Sequence, residues 1–361
     1  MNNKPKLWVL GNGQLGAMLK QAANPLAVDV EAVDIVNPSN EQLPIKPTDI
    51  ITAEREMWPI SETSKQLSEH PNFINRDIFA LLADRYPQKS MLDRLNIATA
   101  PWQLVTDETN ESGLHSALGD NVLLKRRTGG YDGKGQHWLR INDNPQIPDE
   151  WNNECIAEQG IPFDEEVSLV GVRLKNGRCV FYPLTLNHHQ NGILMMSISS
   201  PPRLEHLQSK AEAMLSTIMN DLDYVGVMAM ECFRVGDKLL VNELAPRVHN
   251  SGHWTQAGCA ISQFELHVRA MMELPVPELK VNFQSAMVNL IGVDYDEHWL
   301  ELPNAELYWY RKEVRSGRKV GHINLSVQDK DLSIGSLNKL KTMLPEHYQA
   351  PIDWLITEIN A

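Results

Sequence analysis

Apolar residues recur along this chain with two periods, and the switches between them mark out its elements. Leu7–Leu10 (LWVL) is a short apolar run that predicts a strand, and the residues after it open a helix with Leu15, Met18, Leu19 and Ala22 on one face. A second apolar run leads to Asp34, and a third strand ends near Asp49-Ile50-Ile51-Thr52. Glu54 and Glu56 then fall at a carboxyl edge, where open α/β sheets bind ligands. Pro87 and the stretch ATAP at 98–101 punctuate the next region and predict a first boundary near residue 100. Strand-like segments at 121–126, 154–160 and 166–173 suggest a small mixed α/β lid. Leu204, Leu207, Ala211, Met214, Leu215, Ile218 and Leu222 recur at helical spacing, which predicts an amphipathic helix over 204–222 packed on a sheet. Its methionines read as core. Two strands, Tyr224–Phe233 and Lys238–Pro246, come next; the PVP at 275–277 marks a seam, and shorter strands at 286–293, 305–310 and 319–325 make a C-terminal piece.

Composition narrows the class. With 361 residues, 42% apolar and 22% charged, the chain is an ordinary globular protein of two or three domains. No apolar run approaches the roughly 20 residues of a membrane span, and the N-terminus passes directly into a strand, so a cytoplasmic address is expected. Cys155, Cys179, Cys232 and Cys259 lie far apart without a C-x-x-C, and read as reduced core residues. A formal charge of −13 argues against general binding to nucleic acid or anionic membrane. Anionic substrates then need a local basic cluster. Arg311, Lys312, Arg315, Arg318 and Lys319 supply one within nine residues, against Glu313 alone, although such a run can also be a solvated face.

The candidate chemistry begins with two carboxylates. Glu231 and Glu243 are equidistant from Asp237, so an antiparallel hairpin centred there sets them opposite each other on one face, Cβ atoms roughly 5 Å apart. Like charges so placed repel. A hard divalent cation with oxygen ligands compensates them, and Mg²⁺ shared with substrate phosphates is a common solution, which points to a nucleoside triphosphate. The alternative is a half-buried hairpin whose glutamates face solvent. A second feature bears on that choice: LLKRRTGGYDGKGQ (123–136) joins an apolar run to a loop with four glycines in seven residues. Glycines let backbone N–H groups wrap an anion, and Lys125 at the strand end can add a point charge. No Gly-Lys-Ser/Thr follows, so this is not the Walker pattern.

Other readings compete. Gly11-Asn12-Gly13-Gln14-Leu15-Gly16 between strand and helix, with Asp34 downstream, matches the dinucleotide fingerprint, but the same turn holds any phosphate, and an NAD dehydrogenase would leave Glu231, Glu243 and the second glycine loop idle. A zinc site from His249 and His253, or from His188 and His189, lacks a third ligand at motif spacing. A nucleotide sensor without turnover would have no need of both carboxylates.

The order GNGQLG, ITAERE, LLADR, LLKRRTGGYDGKGQ, EQGI, EEVSLV, VMAMECF, NELAPRVHNSGHWT and RKVGH closely resembles the N5-carboxyaminoimidazole ribonucleotide synthases, the ATP-grasp carboxylases of purine biosynthesis. The resemblance runs from about residue 7 to residue 325. A related purine-pathway transformylase would share the carboxylates but should lack RKVGH. The resemblance implies an ATP-grasp fold of the α/β (α+β) class, with a Rossmann-like domain over 1–100, a central lid over 101–171, and a C-terminal domain over 172–361 that includes a small piece from about 280. It also implies a homodimer, and a reaction of ATP, bicarbonate and 5-aminoimidazole ribonucleotide that gives the N5-carbamate, ADP and phosphate by way of carboxyphosphate.

The same resemblance distributes roles. Glu231 and Glu243 would hold Mg²⁺, with Mn²⁺ as the alternative ion. Arg85, Lys125 and the loop Gly130, Tyr131, Asp132, Gly133, Lys134, Gly135, Gln136 match the triphosphate clamp, with His189 and Asn242 nearby. Glu158, Gln159, Gly160 and Ile161 match an adenosine site whose backbone amides read the base, and Glu166 the carboxylate for ribose hydroxyls. Tyr131 and Asp132 would meet the aminoimidazole, and Asp132 would orient or deprotonate its amine. Lys134 replaces the arginine often found there, which loses the planar fork. Arg247 would grip carboxyphosphate or the transferred phosphate; Lys312, Arg318 and Lys319 would take the ribonucleotide's 5′-phosphate and reactive face; Gln14, Leu15 and Glu54 would line the substrate side. Ala245 stands where related enzymes commonly place a metal-binding asparagine, so water or Asn242 would complete the metal shell.

Overall fold

The computed structural model describes residues 4–38, 42–130, 133–143 and 146–361, with its strands in three sheets. The first is parallel, in the order β2-β1-β3, from β1 (Leu7–Leu10), β2 (Val30–Val33) and β3 (Ile50–Ala53). All four residues of β1 are buried, as a central parallel strand covered on both faces requires. Helix α1 (Gln14–Ala23) follows β1 through the glycine turn and buries Gly16, Met18, Leu19 and Ala23. Helices α2 (Glu62–Ser68), α3 (Arg76–Ala83) and α4 (Arg85–Arg94) lead out of this unit. The Asp84 side chain caps α4 by accepting the Tyr86 N–H, which sets Arg85 at the start of the helix.

The second sheet has the order β4-β7-β5-β6, from β4 (Trp102–Leu104), β5 (Asn121–Arg126), β6 (Gln136–Arg140) and β7 (Cys155–Gln159), every pairing antiparallel. Leu114 and Leu118 of α5 (Glu111–Leu118) share a core with Val122, Leu124, Leu139 and Ala157 of this sheet.

The third sheet has nine strands in the order β13-β12-β8-β10-β11-β14-β16-β15, with β9 paired to β8. They are β8 (Glu165–Arg173), β9 (Cys179–Phe181), β10 (Thr185–Gln190), β11 (Ile193–Ser199), β12 (Gly226–Val235), β13 (Lys238–Ala245), β14 (Ser285–Ile291), β15 (Ala305–Trp309) and β16 (Lys319–Ser326). Two expectations change here. The segment 166–173, expected in the lid, pairs instead with β12 and β10 deep in the large sheet, and the C-terminal strands extend that same sheet. Apolar patterning marks a strand but does not name its neighbour. The helix expected over 204–222 is a 3₁₀ stretch (Pro202–Leu207) followed by α6 (Gln208–Asp221). The apolar face survives the change because residues three apart eclipse in a 3₁₀ turn, and Leu204 and Leu207 are both buried.

Alternation along β12 sorts the two faces of the large sheet. Met228, Met230 and Cys232 enter a core with α6, α9 (Lys330–Met343) and α10 (Gln349–Asn360), while Val227 and Ala229 enter one with α1 and α8 (Gln263–Met271). A short helix, α7 (Thr255–Gly258), precedes α8. The four cysteines are free, three of them buried.

Candidate active site

The hairpin β12–β13 carries the carboxylate pair, and a single extra residue decides its geometry. Its turn is the two residues Gly236-Asp237, with Val235 opposite Lys238, so it is not centred on Asp237 alone. An unbroken register from that turn would set Glu231 against Asn242 and send Glu243 to the other face. A bulge next to Glu231 shifts the pairing by one, and Glu231 lies opposite Glu243. Packing records the same shift: Leu239 and Val241 enter the α6-side core, and so does Leu244, while Ala245 joins the opposite core with Ala229. Glu243 is thereby turned off the core face onto the side of Glu231, and Asn242 is the inserted residue.

Two carboxylates in this setting resist sharing charge. Burial, reinforced by Glu243 and Glu166 against His189 and Lys319, pushes the Glu231 carboxyl up to about 7. Glu243 has Arg85 Nη2 at 3.2 Å from Oε2. His249 Nε2 stands 3.7 Å from Glu231 Oε1, and His189 Nδ1 3.1 Å from Glu166 Oε2. Burial lowers the His189 pKa, but the Glu166 contact outweighs it and the net shift is upward. Burial, with Arg247 and Lys319 adding, holds His249 far below the usual range and so neutral. The Ser251 N–H donates to its Nδ1, so its Nε2 carries the proton that faces Glu231.

A buried ion cluster lies beside the pair. Lys125 Nζ is 2.7 Å from Glu158 Oε2 and donates at 2.8 Å to Asn242 Oδ1, and Lys89 Nζ is 2.8 Å from Glu158 Oε1. Lys89 also donates to Thr99 and to the Val241 carbonyl, tying α4, β7 and β13 together. Burial would raise the Glu158 carboxyl, yet the two ammonium groups outweigh it and bring it to about 2. Two ammonium groups against one carboxylate leave a buried positive surplus, which burial opposes by lowering the Lys89 pKa. Sequence reasoning missed Lys89. Its signal was a lysine on the same helical face as the apolar Leu92, three residues on.

The expected adenosine run divides. The N–H groups of Gln159 and Gly160 donate to the Pro101 and Asn121 carbonyls, so at those two positions the amides expected to read a base are committed to the fold. Ile161 is half-buried in the loop beyond β7. In the glycine-rich loop, Gly133 and Gly135 adopt φ of +76° and +70°. A Cβ on Gly133 would lie 2.9 Å from the Asn191 carbonyl, so the loop sits directly on the β10–β11 turn, while Gly130 lies beside the Arg85 guanidinium. Gln136 opens β6 opposite Lys125, and Lys134 is exposed. Tyr131 and Asp132 lie outside the described residues.

The first glycine turn does not await a cofactor phosphate. Gly13 N–H donates to Glu54 Oε1 at 2.6 Å and Gly16 N–H to Oε2 at 2.7 Å, so the Glu54 carboxylate fills the anion position at the α1 N-terminus. Asp34 accepts the Val36 and Asn37 N–H groups. These two facts remove the dinucleotide reading, and they commit Glu54, expected to meet substrate, to shaping the turn. Gln14 Oε1 accepts from Lys312, whereas Leu15 packs on the core below. Arg318 reaches the Glu313 carbonyl, and Lys319 opens β16 close to His189, His249 and Glu231. Arg247 Nε donates at 2.8 Å to Glu56, a partner not foreseen. The candidate histidines diverge: His188 stacks on Trp354, and His253 is buried against His322 and Phe264. Among the described residues no group of three or more His, Cys, Asp or Glu could hold a metal ion.

A glycine-loop sheet closing on a large antiparallel sheet, with facing carboxylates on one and a buried lysine on the other, defines an ATP-grasp enzyme. The model of the ATP-grasp domain matches residues 90–264, and that of the phosphoribosylaminoimidazole carboxylase C-terminal domain matches 285–333. The N5-carboxyaminoimidazole ribonucleotide synthase of Haemophilus influenzae is 53% identical over 358 residues, covering 99% of this chain and 98% of that protein. The chain belongs to the N5-carboxyaminoimidazole ribonucleotide synthase family. The crystal structure of the Thermus thermophilus synthetase superposes with a TM-score of 0.82 at 37% identity, covering 94% of this chain and 99% of that one. That of the Aspergillus clavatus synthase in complex with ADP and 5-aminoimidazole ribonucleotide does so at 0.80 and 25% identity, covering 94% and 98%.

Proposed function

We propose that this protein carboxylates 5-aminoimidazole ribonucleotide on its exocyclic nitrogen, using ATP to activate bicarbonate. Bicarbonate is a poor electrophile; transfer of the γ-phosphoryl to one of its oxygens makes carboxyphosphate, with ADP leaving. The amine nitrogen then forms the C–N bond as phosphate departs, and the amine loses a proton. The observation that carries this reading is the Glu231–Glu243 pair beside a buried, positively charged cluster.

Lys125 and Arg85 are the cations of the triphosphate side, held in place before nucleotide arrives by Asn242 and Glu158 and by Glu243 respectively. Such pre-positioning removes the cost of ordering long side chains during the reaction. The metal reading fits this donor set: two facing carboxylates, one kept near neutral by burial and its like-charged neighbour, are hard oxygen ligands that need a compensating cation and leave positions for nucleotide oxygens. Glu231 and Glu243 would hold Mg²⁺, or Mn²⁺ in its place, and the ion would neutralise charge spread over the transferring phosphoryl group. Arg247, oriented by Glu56, faces carboxyphosphate, and His249 presents Nε2–H on the same side. Lys312, Arg318 and Lys319 take the ribonucleotide phosphate. Asp132 orients the amine. The sheet β4–β7 with its glycine loop is the lid over this cleft.

A homodimer rests on the family resemblance, and a cytoplasmic location stays the expectation drawn from the sequence; among the described residues no helix is long and apolar enough to cross a membrane. Sedimentation of the purified protein tests the dimer. The activity is tested by phosphate release, which is expected only with ATP, Mg²⁺, bicarbonate and the ribonucleotide all present. Turnover that persists without bicarbonate would defeat the carboxylase reading, and nucleotide binding without any turnover would make the protein a sensor.

A further inference from the structure

Behind the basic cluster lies a buried polar array to which the proposed chemistry gives no role. Tyr310 Oη is 2.6 Å from His322 Nδ1, and His322 Nε2 is 3.0 Å from Gln256 Oε1. The Gln256 amide nitrogen reaches Met18 Sδ of α1 at 3.7 Å, which leaves its oxygen for the histidine. His322 Nε2 therefore carries the proton, and Nδ1 accepts from the Tyr310 hydroxyl. The imidazole is fully buried, and burial alone lowers its pKa to about 3, so this neutral tautomer persists throughout the working range. Tyr308 holds it flat from one side, ring centroids 4.6 Å apart and planes within 5°, and His253 covers it at 4.8 Å.

The half-buried end of this array is the tyrosine ring. Lys312 Nζ lies over it, 5.5 Å from the centroid, and the same ammonium contacts Gln14 at the start of α1. A lysine on a four-carbon stem has many rotamers, and ordering it on ligand binding costs affinity. Here a rigid aromatic face, fixed through its hydroxyl, and an amide from the first unit hold the ammonium in one place.

We propose that Tyr310 and His322 are positioning residues for Lys312, and that through it they set affinity for a phosphate monoester on the ribonucleotide. The inference rests on the reading that Lys312 contacts that phosphate. Both aromatic residues act without touching substrate: His322 locks Tyr310, Tyr310 locks the ammonium.

The test is steady-state kinetics on the full-length protein with the ribonucleotide varied at saturating ATP and bicarbonate. Tyr310→Leu removes the ring and is expected to raise the ribonucleotide KM about tenfold, with kcat and the KM for ATP within about twofold. Tyr310→Phe keeps the ring, loses the hydroxyl that orients it, and should raise that KM about threefold. Lys312→Met should raise it further, and adding Tyr310→Leu to Lys312→Met should then change nothing more, because the group being positioned is gone. An unchanged KM in Lys312→Met would refute the phosphate contact itself. A raised KM there, with Tyr310→Leu either silent or fully additive, would overturn the positioning role while sparing the contact. If Tyr310→Leu does not fold, Tyr310→Phe decides, and an unchanged ribonucleotide KM in that variant overturns the proposal.

Discussion

His267 offers a direct test of how the first unit is joined to the large sheet. It sits on α8, fully buried, with Nδ1 accepting the Val227 N–H of β12 at 3.2 Å and Nε2 3.1 Å from Thr52 Oγ1 of β3. A backbone N–H can only donate, so Nδ1 must be bare and Nε2 protonated. Protonating Nδ1 would set two donors against each other and bury a charge. Burial accordingly lowers this pKa from 6.5 to about 4. Between those values the unfolded chain binds the extra proton and the folded one does not, so stability is full above the unfolded pKa and is lost as pH falls towards the folded one. The linkage relation gives a loss of about 2 kcal/mol between about pH 7.5 and about pH 5, and about 3 kcal/mol once the folded pKa is passed. Urea unfolding of wild type and His267→Gln at both pH values isolates this group from the carboxylates. The wild-type advantage over the variant should shrink by about 2 kcal/mol on acidification. A difference that is the same at both pH values would show that the imidazole is not held neutral at this seam.

Three further outcomes are expected. Glu243→Gln should lower the turnover number by about a hundredfold or more, roughly 3 kcal/mol of barrier, with the thermal midpoint little changed; wild-type turnover would exclude the metal role. Lys319→Ala should act mainly on the ribonucleotide KM, the signature of lost uniform binding, and a change confined to ATP affinity would place it elsewhere in the cleft. Glu158→Gln strands two buried ammonium groups without a counter-charge and should cost about 3–5 kcal/mol in urea unfolding; a loss under about 1 kcal/mol would mean that Lys89 and Lys125 are not both charged in the folded protein.

Much of the candidate site can be read from the chain. Glycine spacing at 129–135 signals a tightly packed loop because only residues without Cβ take those backbone angles next to another backbone, and the structure seats Gly133 against Asn191. Apolar alternation marks β12 and β13 as strands, and the motif order identifies the family. Local pattern has a limit, however: it states which residues share a face and leaves open which surface that face meets. Strand 166–173 therefore reads as part of the lid and folds into the large sheet. Glu54 reads as a substrate contact and instead bonds the glycine turn 38 residues before it. Lys89 and Glu56 gain their roles from partners 69 and 191 residues away.

The carboxylate pair shows the division most clearly. Residue types and strand propensity are local properties, so the sequence alone determined that two glutamates lie on adjacent strands of a hairpin. Whether they face each other turned on one bulged residue, Asn242, set by the packing of Leu239, Val241 and Leu244 on one core and Ala245 on the other, and only the tertiary structure decides that register, because side chains a single residue apart in a strand point to opposite faces.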